Sequence, residues 1–289
     1  MNETTIQAGS QRVLDSADHS RDSAGRTYVY PVVSRRAGGV SIGINLNPNN
    51  ACNWRCVYCQ VPNLTRGSAP PIDLALLENE LRTMLADMQH GDFMTTRVPV
   101  EARRIEDVAF SGNGEPTSSP DFLQALDIVV RCMKESNLLG RIKLRLITNG
   151  SLVDRPAVRQ GIARLSQANG EIWFKLDAGS RKQIAVINNV DLDPVGVLRR
   201  LRDCGELCLT WVQSCFFAYD GFAPRETEIL AWLDLLERAK DRVGGVHLYG
   251  LARPSLQPEA PRLARLQQAW LDTLAERTRK LGLTVRISP

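Results

Sequence analysis

Ala51-Cys52-Asn53-Trp54-Arg55-Cys56-Val57-Tyr58-Cys59-Gln60 follows shortly after an extended run, Val40-Ser41-Ile42-Gly43-Ile44-Asn45. It sets three thiols in a C-x3-C-x2-C spacing on a loop just beyond a predicted strand. In a chain with no sign of export, three cysteines so close together are poorly explained as disulfides and well explained as ligands of one metal centre. A structural zinc site wants a fourth Cys or His to close its tetrahedron, and none follows nearby. A cubane iron–sulfur cluster usually takes four thiolates, so three leave one iron open to a substrate or cofactor. The bland alternative is three buried, reduced cysteines gathered by chance.

Cys52, Cys56 and Cys59, with the aromatic Tyr58 before the last of them, resemble the signature of the radical S-adenosylmethionine (SAM) superfamily. Tyr28-Val29-Tyr30-Pro31 and Gly43-Ile44-Asn45-Leu46-Asn47-Pro48 are similar to the branch related to wyosine-type tRNA-base synthases. The likeness covers most of the chain after about residue 27. It implies a [4Fe-4S] cluster on Cys52, Cys56 and Cys59 whose open iron chelates SAM. One-electron reduction then yields methionine and a 5'-deoxyadenosyl radical, which takes hydrogen from a second, unidentified substrate. Tyr58 is expected beside the adenine. With no flavin-binding motif in the chain, an external donor of the flavodoxin or ferredoxin type is implied.

Outward from the cysteine loop, the sequence alternates between two periods. Residues 1–26 are rich in Ser, Asp, Arg and Gln and are expected to form a mobile tail in which His19 is solvated. Tyr28-Val29-Tyr30 starts the extended segments, and Gly38-Gly39 precedes the strand that feeds the loop. After a connector over residues 62–71, Ile72-Asp73 opens a helix with Leu74, Leu77, Leu81, Leu85 and Met88 at helical spacing. Further strands are predicted over 106–111, 142–148, 171–177, 207–217 and 246–251. Between them lie helices over 120–136, 156–166, 193–203 and 224–242, then a long helix over 258–281 and a short strand over 283–287. Six strands after residue 39, separated by helices, predict an α/β fold with a mainly parallel sheet. That is two strands short of a closed barrel. The resemblance implies an open partial (β/α)6 TIM-type barrel, a single domain over 27–289.

Alternation along the strands collects polar side chains on one face. Lys143, Arg145 and Asn149 share a side, as do Glu171, Trp173, Lys175 and Asp177, and as do His247, Tyr249 and Arg253. Parallel sheets are seldom exposed, so these faces are expected to look into a wet lumen that takes a polar substrate. Arg145, Tyr249 and Arg253 are the candidate substrate contacts, and Arg253 is the one suited to an anionic group.

Ligands of parallel α/β folds bind at the carboxyl ends of strands, so each end is a place to search. The second carries Ser111-Gly112-Asn113-Gly114-Glu115-Pro116-Thr117, where glycines permit close backbone approach and Glu115 can neutralise an ammonium. It resembles the family's Gly-Gly-Glu-Pro element, with Asn113 in place of the first glycine. Gly114 and Glu115 are assigned to SAM on that basis. Asn149, Lys175 and Asp177, at the third and fourth strand ends, are assigned to its ribose and carboxylate by the same resemblance. Asn-Gly is also an ordinary turn, and a Lys near an Asp is also an ordinary ion pair. Cys132, Cys204, Cys208 and Cys215 lie on a helix, a helix end and opposite faces of a strand, which argues against a second cluster.

The 289-residue chain is 43% hydrophobic and 24% charged, the composition of a globular protein with a substantial core. It has no apolar run of membrane-spanning length and no signal-peptide pattern at its start, so a cytoplasmic monomer with no membrane partner is expected. Seven cysteines, an odd number, fit a reducing compartment better than a disulfide framework. A net charge of +4 does not favour a nucleic-acid partner, yet a tRNA base stays open beside a peptide or a small metabolite. The competing class is an iron–sulfur electron-transfer or sensor protein without radical chemistry, for which Gly114-Glu115 would have no use. A zinc-binding interaction module is a third.

Overall fold

Eight strands hydrogen-bond to one another in the order in which they occur along the chain, and that order dictates the shape. The computed structural model describes residues 13–15, 25–34 and 38–288. The strands are β1 Val29–Ser34, β2 Gly39–Ile44, β3 Ile105–Phe110 and β4 Lys143–Thr148. They continue as β5 Glu171–Lys175, β6 Leu209–Cys215, β7 Gly245–Tyr249 and β8 Val285–Ser288. β1 runs antiparallel to β2, and every later pairing is parallel. Parallel strands added always on the same side, each through a right-handed crossover, leave every helix on one face. The sheet therefore curls around its other face. The result is a mixed α/β half-barrel, with β2 to β7 as the six expected strands and β1 and β8 added at its two edges.

The helices of two turns or more are α1 Leu74–His90, α2 Phe122–Glu135, α3 Pro156–Gln167, α4 Arg181–Asn188, α5 Pro194–Leu207, α6 Glu226–Glu237 and α7 Gln268–Arg279. Their starts follow the sequence chemistry. Asp73 accepts the Leu76 N–H at 2.9 Å, and Pro156 and Pro194 occupy first turns where no donor is needed. Leu77, Leu81, Met84 and Leu85 of α1 are fully buried against Ile42, Ile44, Val108 and Phe110 on the outer face of the sheet.

Two expectations are corrected. The long helix over 258–281 is absent: a 3-10 turn at Ala260–Arg262 leads into the two-residue strand Leu263–Ala264, which pairs with Ala218–Tyr219, and only then does α7 begin. Pro258 and Pro261 lack the amide hydrogens that a continuous helix needs. Conversely, α4 occupies the stretch between strand 171–177 and helix 193–203, for which no element was expected. Of the expected N-terminal tail, Leu14 is buried in the main core and donates its N–H to Arg97 O at 2.8 Å. Residues 1–12 and 16–24, His19 included, lie outside the described residues.

β1 is fixed by a buried carboxyl group. Glu80, on the inner side of α1, accepts the backbone N–H groups of Thr27, Tyr28 and Val29 at 2.8, 2.8 and 3.1 Å. This places Tyr30 over Gly43, where an added Cβ would come within 2.1 Å of the ring. The Tyr30 hydroxyl meets Ser111 Oγ at 2.8 Å, so β1 lines one side of the lumen.

The lower half of the lumen is filled by its own polar residues. The Arg145 guanidinium is paired with both Asp107 and Glu171, the latter at 2.6 Å, and Ser41 donates to Asp107. Arg145 lies 4.7 Å from the Trp173 ring centroid; His247 sits between Trp173 and Trp211 at 4.5 and 4.9 Å, and Arg286 covers Trp211 at 4.3 Å. These residues come from β4 to β8 near their N-terminal ends and form a floor in which Arg145, His247 and Arg286 alternate with Trp173 and Trp211.

Candidate active site

The upper half of the lumen is an open cavity of about 260 Å³. Cys52, Cys56 and Cys59 all line it, together with Gly112, Gly114 and Glu115 after β3, Asn149 after β4, Lys175 at the end of β5 and Tyr249 at the end of β7. Asp107 and Arg145 of the floor also line it. Carboxyl ends of neighbouring strands thus meet around the cysteine loop, as a parallel barrel requires.

The loop is held from several directions. Asn45 Oδ1 accepts the N–H groups of Asn47 and Asn113 at 3.1 and 3.0 Å, and Asn47 Nδ2 donates to Ala51 O at 2.9 Å. Gly114 packs directly on this arrangement: an added Cβ would stand 2.1 Å from Ala51 O. Asn149 Nδ2 donates to Asn53 Oδ1 at 2.9 Å. On another side, the last turn of α4 accepts Arg55 N–H at Asn188 O (3.2 Å) and Val57 N–H at Ile187 O (2.9 Å). From beyond β7, Ser255 Oγ donates to Val57 O at 2.7 Å and Leu256 N–H to Cys59 O at 2.9 Å.

Cys56 is buried, while Cys52 and Cys59 are partly exposed. Burial pushes the Cys52 thiol up to about 11 and the Cys56 thiol up to about 12, so neither is a thiolate nucleophile at neutral pH. A metal that binds such thiols displaces their protons outright. Two donors already point at the sulfurs: Trp54 N–H at 3.4 Å from Cys52 Sγ, and Asn188 Nδ2 at 3.3 Å from Cys56 Sγ. Among the described residues no three His, Cys, Asp or Glu side chains converge as the ligands of a single ion would. Cys52, Cys56 and Cys59 around one cavity, with N–H groups directed at two of the sulfurs, have the donor chemistry of iron–sulfur cluster ligands. Cys132, Cys204 and Cys208 are buried in the main core, with Cys208 Sγ on Gly170 O at 3.4 Å. Cys215 packs with Cys56 and Tyr58, and its N–H donates to Asp177 Oδ1 at 3.0 Å.

Glu115 is 3% exposed and accepts from Thr117 Oγ1 and Thr148 Oγ1 at 2.6 Å each, from Thr117 N–H at 3.2 Å and from Asn149 N–H at 2.7 Å. Burial raises its carboxyl above the usual range against these bonds. Both oxygens are engaged by the protein itself, which stiffens the Gly112–Glu115 turn where the sequence pointed to an ammonium contact.

Tyr58 donates to Asp177 Oδ2 at 2.6 Å and accepts from Lys175 Nζ at 2.7 Å, and its ring meets Phe217 at 5.5 Å. Burial lifts the phenol well above its ordinary value, so it keeps its proton. Burial opposes the Lys175 ammonium, but the acidic groups around it, Tyr249 and Asp177 foremost, outweigh that and raise the amine. Asp177 is 4% exposed and lies behind the cavity wall, bonded also to Asn188 Nδ2 at 2.9 Å. Arg253 is not part of the lining. Its Nη1 donates to Gln60 Oε1 at 3.0 Å, tying the segment after β7 to the cysteine loop. Asn188, Asn45, Asn47 and Asn53 were not anticipated. Asparagines in loops read as turn formers, and only Asn188-Asn189 closing a helix in the left-handed region (φ 55° at Asn189) carried a local signal.

The half-barrel and its thiol-lined mouth define an α/β protein built to hold an iron–sulfur centre beside a small-molecule pocket. The chain belongs to the radical SAM superfamily, whose model matches residues 46–211, more than half of its length. The cofactors that go with this membership are a [4Fe-4S] cluster and SAM. Over 167 residues it is 30% identical to a UPF0026 protein of Methanocaldococcus jannaschii, covering 57% of this chain and 44% of that one. Over 135 residues it is 29% identical to a protein named GTPase Obg from Brachyspira hyodysenteriae, covering 46% and 17%. The chain thus spans less than half the length of either relative. Among solved structures it resembles TYW1 carrying a lysine–pyruvate adduct, with a TM-score of 0.54 and 17% identity over 84% of this chain and 74% of that one. A radical SAM methyltransferase from Sphaerobacter thermophilus gives 0.56 and 18%, over 86% and 67%. These likenesses are of fold. No helix of the described residues is long and apolar enough to cross a membrane.

Proposed function

We infer that this chain cleaves SAM reductively and uses the product to take a hydrogen atom from a polar substrate held in the lumen. The observation that carries the reading is the shared cavity: Cys52, Cys56 and Cys59 line the same space as Gly114, Asn149, Lys175 and Tyr249. When bound, the cluster supplies an electron to the SAM sulfonium, and the radical chemistry is that of the cofactor. The protein's own groups position and exclude. Gly114, without a Cβ, keeps the turn after β3 close to the loop backbone, and the turn lines the cavity. Lys175, held protonated between Tyr58 and Asp177, offers a cation to a carboxylate in the cavity. Tyr58 and Trp54 wall the thiols with apolar surface, which keeps water from a reactive centre. Arg145, Trp173 and His247 pack on one another at the floor of the lumen, opposite the thiols.

A low-potential donor of the flavodoxin or ferredoxin type in a reducing cytoplasm supplies the electron in this account. The test is anaerobic: iron-loaded protein with SAM and dithionite should release 5'-deoxyadenosine, and iron-loaded Lys175→Met should do so with a raised SAM requirement. Release of none by fully loaded wild-type protein overturns the reading.

A further inference from the structure

Asn188 closes α4 with 2% of its surface exposed, and its side-chain amide stands 2.9 Å from Asp177 Oδ2 and 3.3 Å from Cys56 Sγ, both measured from Nδ2. The carboxylate settles which end of the amide faces it. An amide oxygen there would set two acceptors against each other, whereas the NH2 group donates. An NH2 group has two hydrogens. Asp177 takes one, which fixes the amide plane and directs the other to the sulfur of Cys56. Asp177 is itself immobilised by the Tyr58 hydroxyl at 2.6 Å and by Cys215 N–H at 3.0 Å. The backbone of the same helical turn grips the loop on both sides of Cys56, through Arg55 N–H and Val57 N–H. Carbonyls at a helix C-terminus have no partner within the helix, and here the cysteine loop supplies one.

We propose that Asn188 is a positioning residue that sets the reduction potential of the centre ligated by Cys56. The proposal rests on the cluster reading above. Reduction adds one electron to the cluster and leaves more negative charge on its sulfur ligands. An N–H directed at a ligand sulfur stabilises that charge, and does so more strongly in a buried site than in water. Removing the N–H therefore makes reduction harder without removing a ligand. Asp177 holds the orientation of Asn188. A residue that merely braced the loop would alter melting temperature or iron uptake and leave the potential of loaded protein where it was.

The experiment uses the full chain, reconstituted anaerobically with iron and sulfide and titrated with dithionite while the reduced cluster is followed by its paramagnetic signal. Asn188→Leu keeps the volume and loses the donor; Asn188→Ala, which also lacks a donor, is the smaller change for the case in which the leucine variant fails to load. At a fixed ambient potential the variant is expected to show about a tenfold lower ratio of reduced to oxidised cluster, equivalent to a fall of about 59 mV for one electron. Wild-type iron content with an unmoved potential overturns the proposal alone. Loss of iron from both variants beside a loaded wild type also overturns it, because Asn188 then holds the loop rather than tuning the centre. Failure of the wild type itself to load iron contradicts the cluster reading instead.

Discussion

Asn149 gives its backbone N–H to Glu115 Oε2 at 2.7 Å, so a buried carboxylate at the end of β3 fastens the end of β4. The same carboxylate gathers both hydroxyls of Thr117 and Thr148. Asn149 in turn reaches the cysteine loop through Asn53. A single acid thus sets the spacing of two strand ends and one side of the thiol loop.

Glu115→Ala leaves four donors without their acceptor in a site that is 3% exposed. Hydrogen bonds to charged groups contribute about 1.5–3 kcal/mol each, and a buried donor left alone costs a similar amount. Urea denaturation should show a loss of roughly 3 kcal/mol. A loss within experimental error would mean that the turn does not depend on the acid.

The pH dependence has a definite sign. Burial raises the Glu115 carboxyl above its usual value of 4.5. A group that binds its proton more tightly when folded contributes fully below the unfolded value and loses that contribution as pH rises through the folded value. Stability of the wild type relative to Glu115→Gln should therefore increase as pH falls from neutral toward 4.5. Denaturation curves of the two proteins across that range measure it, and a relative gain with rising pH contradicts the assignment.

Gly114→Ala tests the close approach of the turn to the loop. Its Cβ would meet Ala51 O at 2.1 Å and Asn47 Nδ2 at 2.6 Å, so backbone has to move next to Cys52. SAM affinity should fall at least about tenfold, or about 1.4 kcal/mol. Gly196→Ala, where the nearest atom is a flexible Arg200 nitrogen at 3.7 Å, serves as the control and should leave affinity unchanged. Equilibrium dialysis against SAM distinguishes the two; equal affinity in Gly114→Ala removes the turn from the site.

Arg145→Met separates floor from substrate site. The guanidinium is 9% exposed and faces two carboxylates, Asp107 at 2% and Glu171 at 5%. Breaking a buried ionic group by removing one partner costs about 3–5 kcal/mol, whereas replacing all partners together costs far less. The single variant should be strongly destabilised, and Asp107→Asn/Arg145→Met/Glu171→Gln should recover most of the loss. Full stability of Arg145→Met would return this arginine to the role of a substrate contact.

The fold was legible where periodicity and punctuation agree. Leu77, Leu81 and Leu85 mark the buried stripe of α1, and alternation in Lys143–Thr148 puts Arg145 inside and Leu144 and Leu146 outside. Pro258 and Pro261 were the available warning against a helix over 258–281, and the polar period downstream masked it. α4 was missed because its eight residues give barely two turns of pattern. At the site, chemistry carried by one residue type, the three thiols, could be read directly. Roles that depend on what lies opposite could not. Whether Arg145 grips a ligand or two carboxylates depends on the register of β3, β4 and β5, which brings Asp107 and Glu171 to its sides. Asn188 matters only because α4 ends beside Cys56, a contact across 132 residues of sequence.

The most direct test of the central claim is the quantity of 5'-deoxyadenosine formed per iron-loaded chain on anaerobic reduction with dithionite in the presence of SAM. Reconstituted wild-type protein should carry about four irons and four sulfides and form the nucleoside, and Cys56→Ala should lose both the chromophore and the product. Full iron in a variant with Cys52, Cys56 and Cys59 all replaced by alanine, or intact SAM beside fully loaded and reduced wild-type protein, would contradict it.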